Sequence, residues 1–141
     1  MNKILLILFF PCVVLAATIS VSGPPSSLVV STATAGAQPD SVSDSSTTYT
    51  ATVSSGMTGT IWASLNSSLP SATTLQVNLE APTGATSLGG ISLTSSDQMV
   101  VTGIAPGTYD SLTVTYIFSG TVSAGVVSST PCTVLFTITE S

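Results

Sequence analysis

From about residue 47 to the C-terminus, apolar and polar residues alternate with a period of two. Leu112, Val114, Tyr116 and Phe118 alternate with Thr113, Thr115 and Ile117. The same rhythm runs through Tyr49, Ala51 and Val53, through Leu75, Val77 and Leu79, and through Cys132, Val134, Phe136 and Ile138. Such spacing puts one face of each segment in a core and leaves the other wet, the signature of half-buried strands. Shorter runs at 59–65, 90–94, 98–104 and 121–127 are weaker strand candidates. Turn residues separate them: Ser55-Gly56, Leu69-Pro70, Pro82-Thr83-Gly84, Leu88-Gly89-Gly90, Pro106-Gly107 and Ser119-Gly120. Short strands broken by turns at this spacing predict an antiparallel sandwich or barrel.

The N-terminal third reads differently. Residues 1–16 carry Lys3, an apolar stretch from Ile4 to Leu15, and Val14-x-Ala16, the pattern of a signal peptide cleaved after Ala16. The apolar stretch is short for a membrane helix, which needs roughly 20 residues, and Pro11 interrupts it. Residues 17–34 hold two small apolar pieces, Ile19/Val21 and Leu28-Val29-Val30, split by Gly23-Pro24-Pro25. Consecutive prolines cannot continue a sheet ladder, so the chain breaks there. Residues 35–46 are rich in Ser, Ala, Gly and Asp and read as a linker. The expected plan is therefore a leader, an arm (17–34), a joint (35–46) and a core (47–141). The arm can pair with its own sheet or with a neighbour's, and the residues leave both open.

Composition removes whole classes of function. The chain has one basic side chain, Lys3, and no histidine. Its net charge is −5, or −6 once Lys3 leaves with the leader. An acidic chain without cations cannot neutralise a phosphate backbone, so no nucleic-acid partner is expected. Attraction to anionic lipid fails for the same reason, and no membrane insertion of the mature chain is expected. Without imidazole there is no ready general base or metal ligand, and the six carboxylates are scattered. Asp40-x-x-x-Asp44 lacks the alternating ligands of a calcium loop and reads as a solvated acidic loop. No catalytic site, metal or cofactor is expected, and the chain is not read as an enzyme.

Serine and threonine exceed a third of the residues after the leader, while charged residues are only 5 % of the chain. A surface this neutral is easier to understand if much of it packs against copies of itself. Cys132 is left as the one cysteine once Cys12 is removed, and its alternation with Val134 and Phe136 points it inward. Trp62 falls on the opposite face from Ile61, Ala63 and Leu65, where it reads as core or subunit interface, or as a platform to stack on a sugar ring. Asn66-Ser67-Ser68 matches a glycosylation sequon.

The phrase Ala105-Pro106-Gly107-Thr108-Tyr109, running into Leu112-Thr113-Val114-Thr115-Tyr116, resembles the turn-to-strand corner of bacterial immunoglobulin-like and fimbrial sandwich proteins. The resemblance implies that the Tyr109 hydroxyl bonds back to the chain as a structural corner. It also implies an arm that completes the sheet of the next subunit, with Ile19 and Val21, or Leu28 and Val30, filling pockets in the neighbour. One departure is the strong C-terminal strand, where chaperone-assembled pilins usually lack one. The expected fold is all-β, a single antiparallel immunoglobulin-like β-sandwich with an extended N-terminal arm. The expected function is a secreted structural subunit of a cell-surface filament, pilus or coat, with its own copies as partner. The alternative is a monomeric adhesion or glycan-binding module with a glycan or surface partner.

Overall fold

The computed structural model describes residues 16–126 and 131–141, and within them the chain is an antiparallel β-sandwich. Nine strands follow one another: β1 Thr18–Val21, β2 Val42–Val53, β3 Gly59–Leu65, β4 Thr73–Leu79, β5 Thr86–Ser87, β6 Ile91–Ser92, β7 Gln98–Ile104, β8 Gly107–Gly120 and β9 Val134–Glu140. One sheet has the order β1-β2-β8-β4-β6, the other β5-β7-β3-β9. The leader expectation lies outside the described residues except at Ala16. Among the described residues no helix is long and apolar enough to cross a membrane.

The alternating pattern explains the two layers. Tyr49, Ala51 and Val53 of β2, Val114 and Tyr116 of β8, and Leu75, Val77 and Leu79 of β4 line the inner face of the larger sheet. Ile61, Ala63 and Leu65 of β3, with Val100, Val101 and Ile104 of β7, face them from the other. Both valines of β7 reach the core because the pairing slips between Ile61–Val101 and Trp62–Met99, a bulge that turns two neighbours inward. Where β2 and β3 meet the core, Gly59 makes room: a Cβ there would stand 2.6 Å from Val53 Cγ2.

Two differences from the sequence reading concern boundaries. β2 begins at Val42, so residues 42–46 are strand rather than linker. The rest of that linker is folded too: Ala33 bridges Pro39, and the Asp40 amide donates to the Thr32 carbonyl at 2.9 Å. The run at 121–127 is not a strand over its described part, since Val122–Ala124 form a 3-10 turn that ends at Gly125 in the left-handed region (φ 61°).

The two sheets differ in length, and this shapes the functional region. β2 and β8 span 12 and 14 residues, whereas β3, β7 and β9 span 7 each. At about 3.3 Å per residue the long ribbon outruns the shorter sheet by roughly 17 to 23 Å. The overhang exposes the inner face of β2 near Val42, of β8 near Phe118 and of β4 near Leu75. Something must cover it.

Candidate functional site

What covers the overhang is the segment after β1. β1 pairs antiparallel with only Tyr49–Thr52 of β2, and the Ser22 amide adds a bond to the Thr48 carbonyl at 2.8 Å. Gly23-Pro24-Pro25 then turns the chain out of the sheet, because neither proline has an N–H to donate. Residues 23–33, hereafter the strap, run across the seam between the two sheets. Leu28 and Val30 are half-buried and face inward, while Val29 between them is 62 % exposed. The strap is thus extended, with the period of a strand. Yet among the described residues no hydrogen bond between main-chain groups ties residues 24–31 to any strand.

Beneath it lies a cavity of about 1010 Å³, lined by Leu28, Val30, Leu75, Phe118, Cys132 and Phe136 among others. Ser26 and Tyr116 of its lining lead to one ionised group beside it. Asp44 stands opposite Tyr116, a buried residue, and so belongs to the inner face. Its carboxylate accepts the Ser26 hydroxyl of the strap and, at 2.7 and 3.0 Å, the Ser46 hydroxyl and amide. Those bonds, that of Ser26 foremost, hold its carboxyl below the usual carboxylate range. Burial first, and the Asp44 charge second, push the Tyr116 hydroxyl up to about 12. A second contact fastens the strap, with the Thr47 hydroxyl donating to the Gly23 carbonyl at 3.4 Å.

The sequence-predicted residues divide around this cavity. Val21, Leu28 and Val30 line it together. Ile19 does not line it and packs half-buried against the main core from β1. Tyr109 is elsewhere, at the β7–β8 turn, where its hydroxyl donates to the Ala105 carbonyl at 3.2 Å. Cys132 is a free thiol at intermediate exposure on the cavity wall, with Sγ 3.8 Å from Asn66 Oδ1. Asn66 itself is engaged, since its Oδ1 also accepts the Thr133 amide at 2.9 Å.

Sequence reasoning missed Asp44 and Ser26. The signal was hidden by a bulge: Asp44 pairs with Tyr116 and Thr47 with Val114, so three residues of β2 span two of β8. Strict alternation from Tyr49 backwards therefore puts Asp44 on the wrong face.

Two other surface features complete the picture. Trp62 is half-buried on the outer face of the smaller sheet, opposite Met99 and Thr137, with Nε1 donating to Thr139 Oγ1 at 3.1 Å. On the larger sheet a depression of about 410 Å³ holds Asn78, Glu80, Ser87, Thr113 and Thr115. The Glu80 carboxylate there is occupied by the Thr113 amide at 2.9 Å. Among the described residues no three His, Cys, Asp or Glu side chains come together to hold a metal ion. Comparisons with known protein families, curated proteins and solved structures find no match.

Proposed function

We propose that the chain is an exported structural subunit of a cell-surface filament or coat that assembles with copies of itself by β-strand addition. The observation that carries this reading is the separateness of residues 17–34 from the core. Among the described residues every buried core residue lies between Thr47 and Tyr116, and Ile19 and Leu28 contribute only half-buried side chains. The arm and strap sit where the sandwich has unpaired edges. Among the described residues β9 pairs only with β3, and β2 from Val42 to Thr47 has a strand on one side only. Free edges of this kind accept another chain's strand through their main-chain groups. The nearly uncharged, hydroxyl-rich surface opposes self-association with little electrostatic repulsion.

Deleting residues 17–34 is the direct test, read by sedimentation velocity with far-UV circular dichroism as the check on folding. The truncated chain should keep its β spectrum and sediment as a monomer, while the complete arm supports large assemblies. Truncated protein that assembles as the full chain does would remove the arm from the mechanism.

A second reading rests on Trp62. Half-exposed beside Met99, and on the same outer face as Leu135 (48 % exposed), it offers a flat apolar surface to a sugar ring or protein partner. This would make the chain a monomeric adhesion module, and substitution of Trp62 by Ala would then abolish binding without affecting assembly.

A further inference from the structure

We propose that the cavity under the strap binds an uncharged lipid with a hydroxyl head, its chain among Leu28, Leu75, Phe118 and Phe136 and its head on the Tyr116 hydroxyl. The site is independent of how copies of the chain assemble, since every residue it uses belongs to one molecule.

Two observations point to a ligand. The first is the cavity itself. The described residues enclose about 1010 Å³, at the top of the roughly 300–1,000 Å³ range of small-molecule sites. Leucine, valine and phenylalanine side chains form much of its wall. A water needs about two to four polar partners, so such a wall suits an apolar body better. The second observation is Tyr116, which lines the cavity at 3 % exposure. Its hydroxyl has no hydrogen-bond partner among the described residues, whereas that of Tyr49, the other buried tyrosine, donates to the Glu80 carbonyl. A buried phenol ordinarily finds such a partner. Among the described residues no fully enclosed side-chain oxygen or nitrogen lacks one, so the Tyr116 oxygen is not sealed in the core and opens into the cavity.

Charge selects the head. Asp44 stands opposite Tyr116 in the β2–β8 pairing, and its carboxylate already accepts from Ser26 and twice from Ser46. It repels an anionic head, and the described residues include no basic side chain to offset it. A cationic head would exchange water for an apolar wall beside a carboxylate whose acceptors are largely taken. A neutral hydroxyl both donates to and accepts from a phenol, and satisfies Tyr116 without burying a charge. Entry is open to such a molecule. The strap is fastened by Ser26 on Asp44 and by Thr47 on Gly23, and residues 24–31 can lift without breaking a ladder.

Cys132 lies on the wall of the same cavity, so its alkylation reports occupancy at the site. The exported chain is reacted with N-ethylmaleimide at neutral pH beside decanol, decanoate or decylammonium, and the rate is read on the chymotryptic peptide carrying Cys132. Decanol should slow the reaction saturably. Decanoate should need at least about tenfold more for the same protection, the effect of one negative charge near another in a partly dry site. Tyr116→Phe keeps the ring and removes the hydroxyl. It should weaken protection by decanol about two- to tenfold and leave protection by butylbenzene, which has no head, unchanged. Far-UV circular dichroism checks that the variant is folded.

Equal protection by decanol and decanoate, stronger protection by decylammonium, or an unaltered Tyr116→Phe would overturn the assignment of the head. The site itself falls if none of these molecules protects saturably. It falls too if equilibrium dialysis shows decanol bound while Cys132 stays fully reactive.

Discussion

Raising the pH should unfold this protein through its tyrosines, and the effect can be worked out because so few other groups titrate. Burial first, and Glu80 second, raise the Tyr49 hydroxyl above its ordinary value, and Tyr116 is pushed from 10.0 up to about 12. A tyrosine whose folded pKa lies above its unfolded value contributes stability that is complete below about pH 10 and is lost as pH rises through the folded pKa. The unfolded chain releases those protons first, so each such tyrosine tilts the equilibrium by about 1.4 kcal/mol per pH unit within that window. Two units for Tyr116 come to about 2.7 kcal/mol. Because the residue lines a cavity large enough to admit water, screening brings the expected loss to about 1–2 kcal/mol. Lys3 is the only basic side chain and histidine is absent, so the alkaline limb is not blurred by lysines.

The assay is urea unfolding at stepped pH, followed through the fluorescence of Trp62, the single tryptophan. Stability should fall above about pH 10, and Tyr116→Phe should flatten that fall. Tyr49→Phe should flatten it too but start lower, by about 1 kcal/mol, because the Tyr49 hydroxyl donates to the Glu80 carbonyl. If wild type and Tyr116→Phe lose stability with the same slope, the buried placement of that hydroxyl is wrong.

Packing and edge predictions can be checked with the same unfolding assay. Gly59→Ala should cost about 1–3 kcal/mol by overpacking, since the new methyl would meet Val53 Cγ2 at 2.6 Å and Ile104 Cβ at 3.3 Å; an unmoved urea midpoint would contradict that contact. Leu79→Ala, at a residue 1 % exposed, should cost about 2–5 kcal/mol through the cavity it leaves. Ile19→Ala, on half-buried β1, should cost less than about 2 kcal/mol, and a loss equal to that of Leu79→Ala would mean the arm belongs to the core.

Strand existence was legible where side chains alternate. The runs 59–65 and 98–104 coincide with β3 and β7, because both strands carry apolar residues toward a dry inner face. Alternation fails at bulges, which is why β2 starts five residues before the expected core boundary at residue 47. It failed again at 121–127, where β8 has already ended at Gly120 and Val122–Ala124 close a 3-10 turn at Gly125. The partner of the arm was not legible for a different reason. Four residues pairing through main-chain groups give Thr18–Val21 no preference written in their side chains. Asp44 and Ser26 were invisible for a third reason, being 18 residues apart and joined only by the path of the strap.

The central claim is that copies of this chain join through residues 17–34. Negative-stain electron microscopy of the protein taken from the cell surface, beside the same preparation lacking those residues, tests it most directly. The account predicts filaments or sheets of uniform width from the full chain and dispersed monomers from the truncated one. Monodisperse single particles from the full chain, or identical polymers from both, would contradict it.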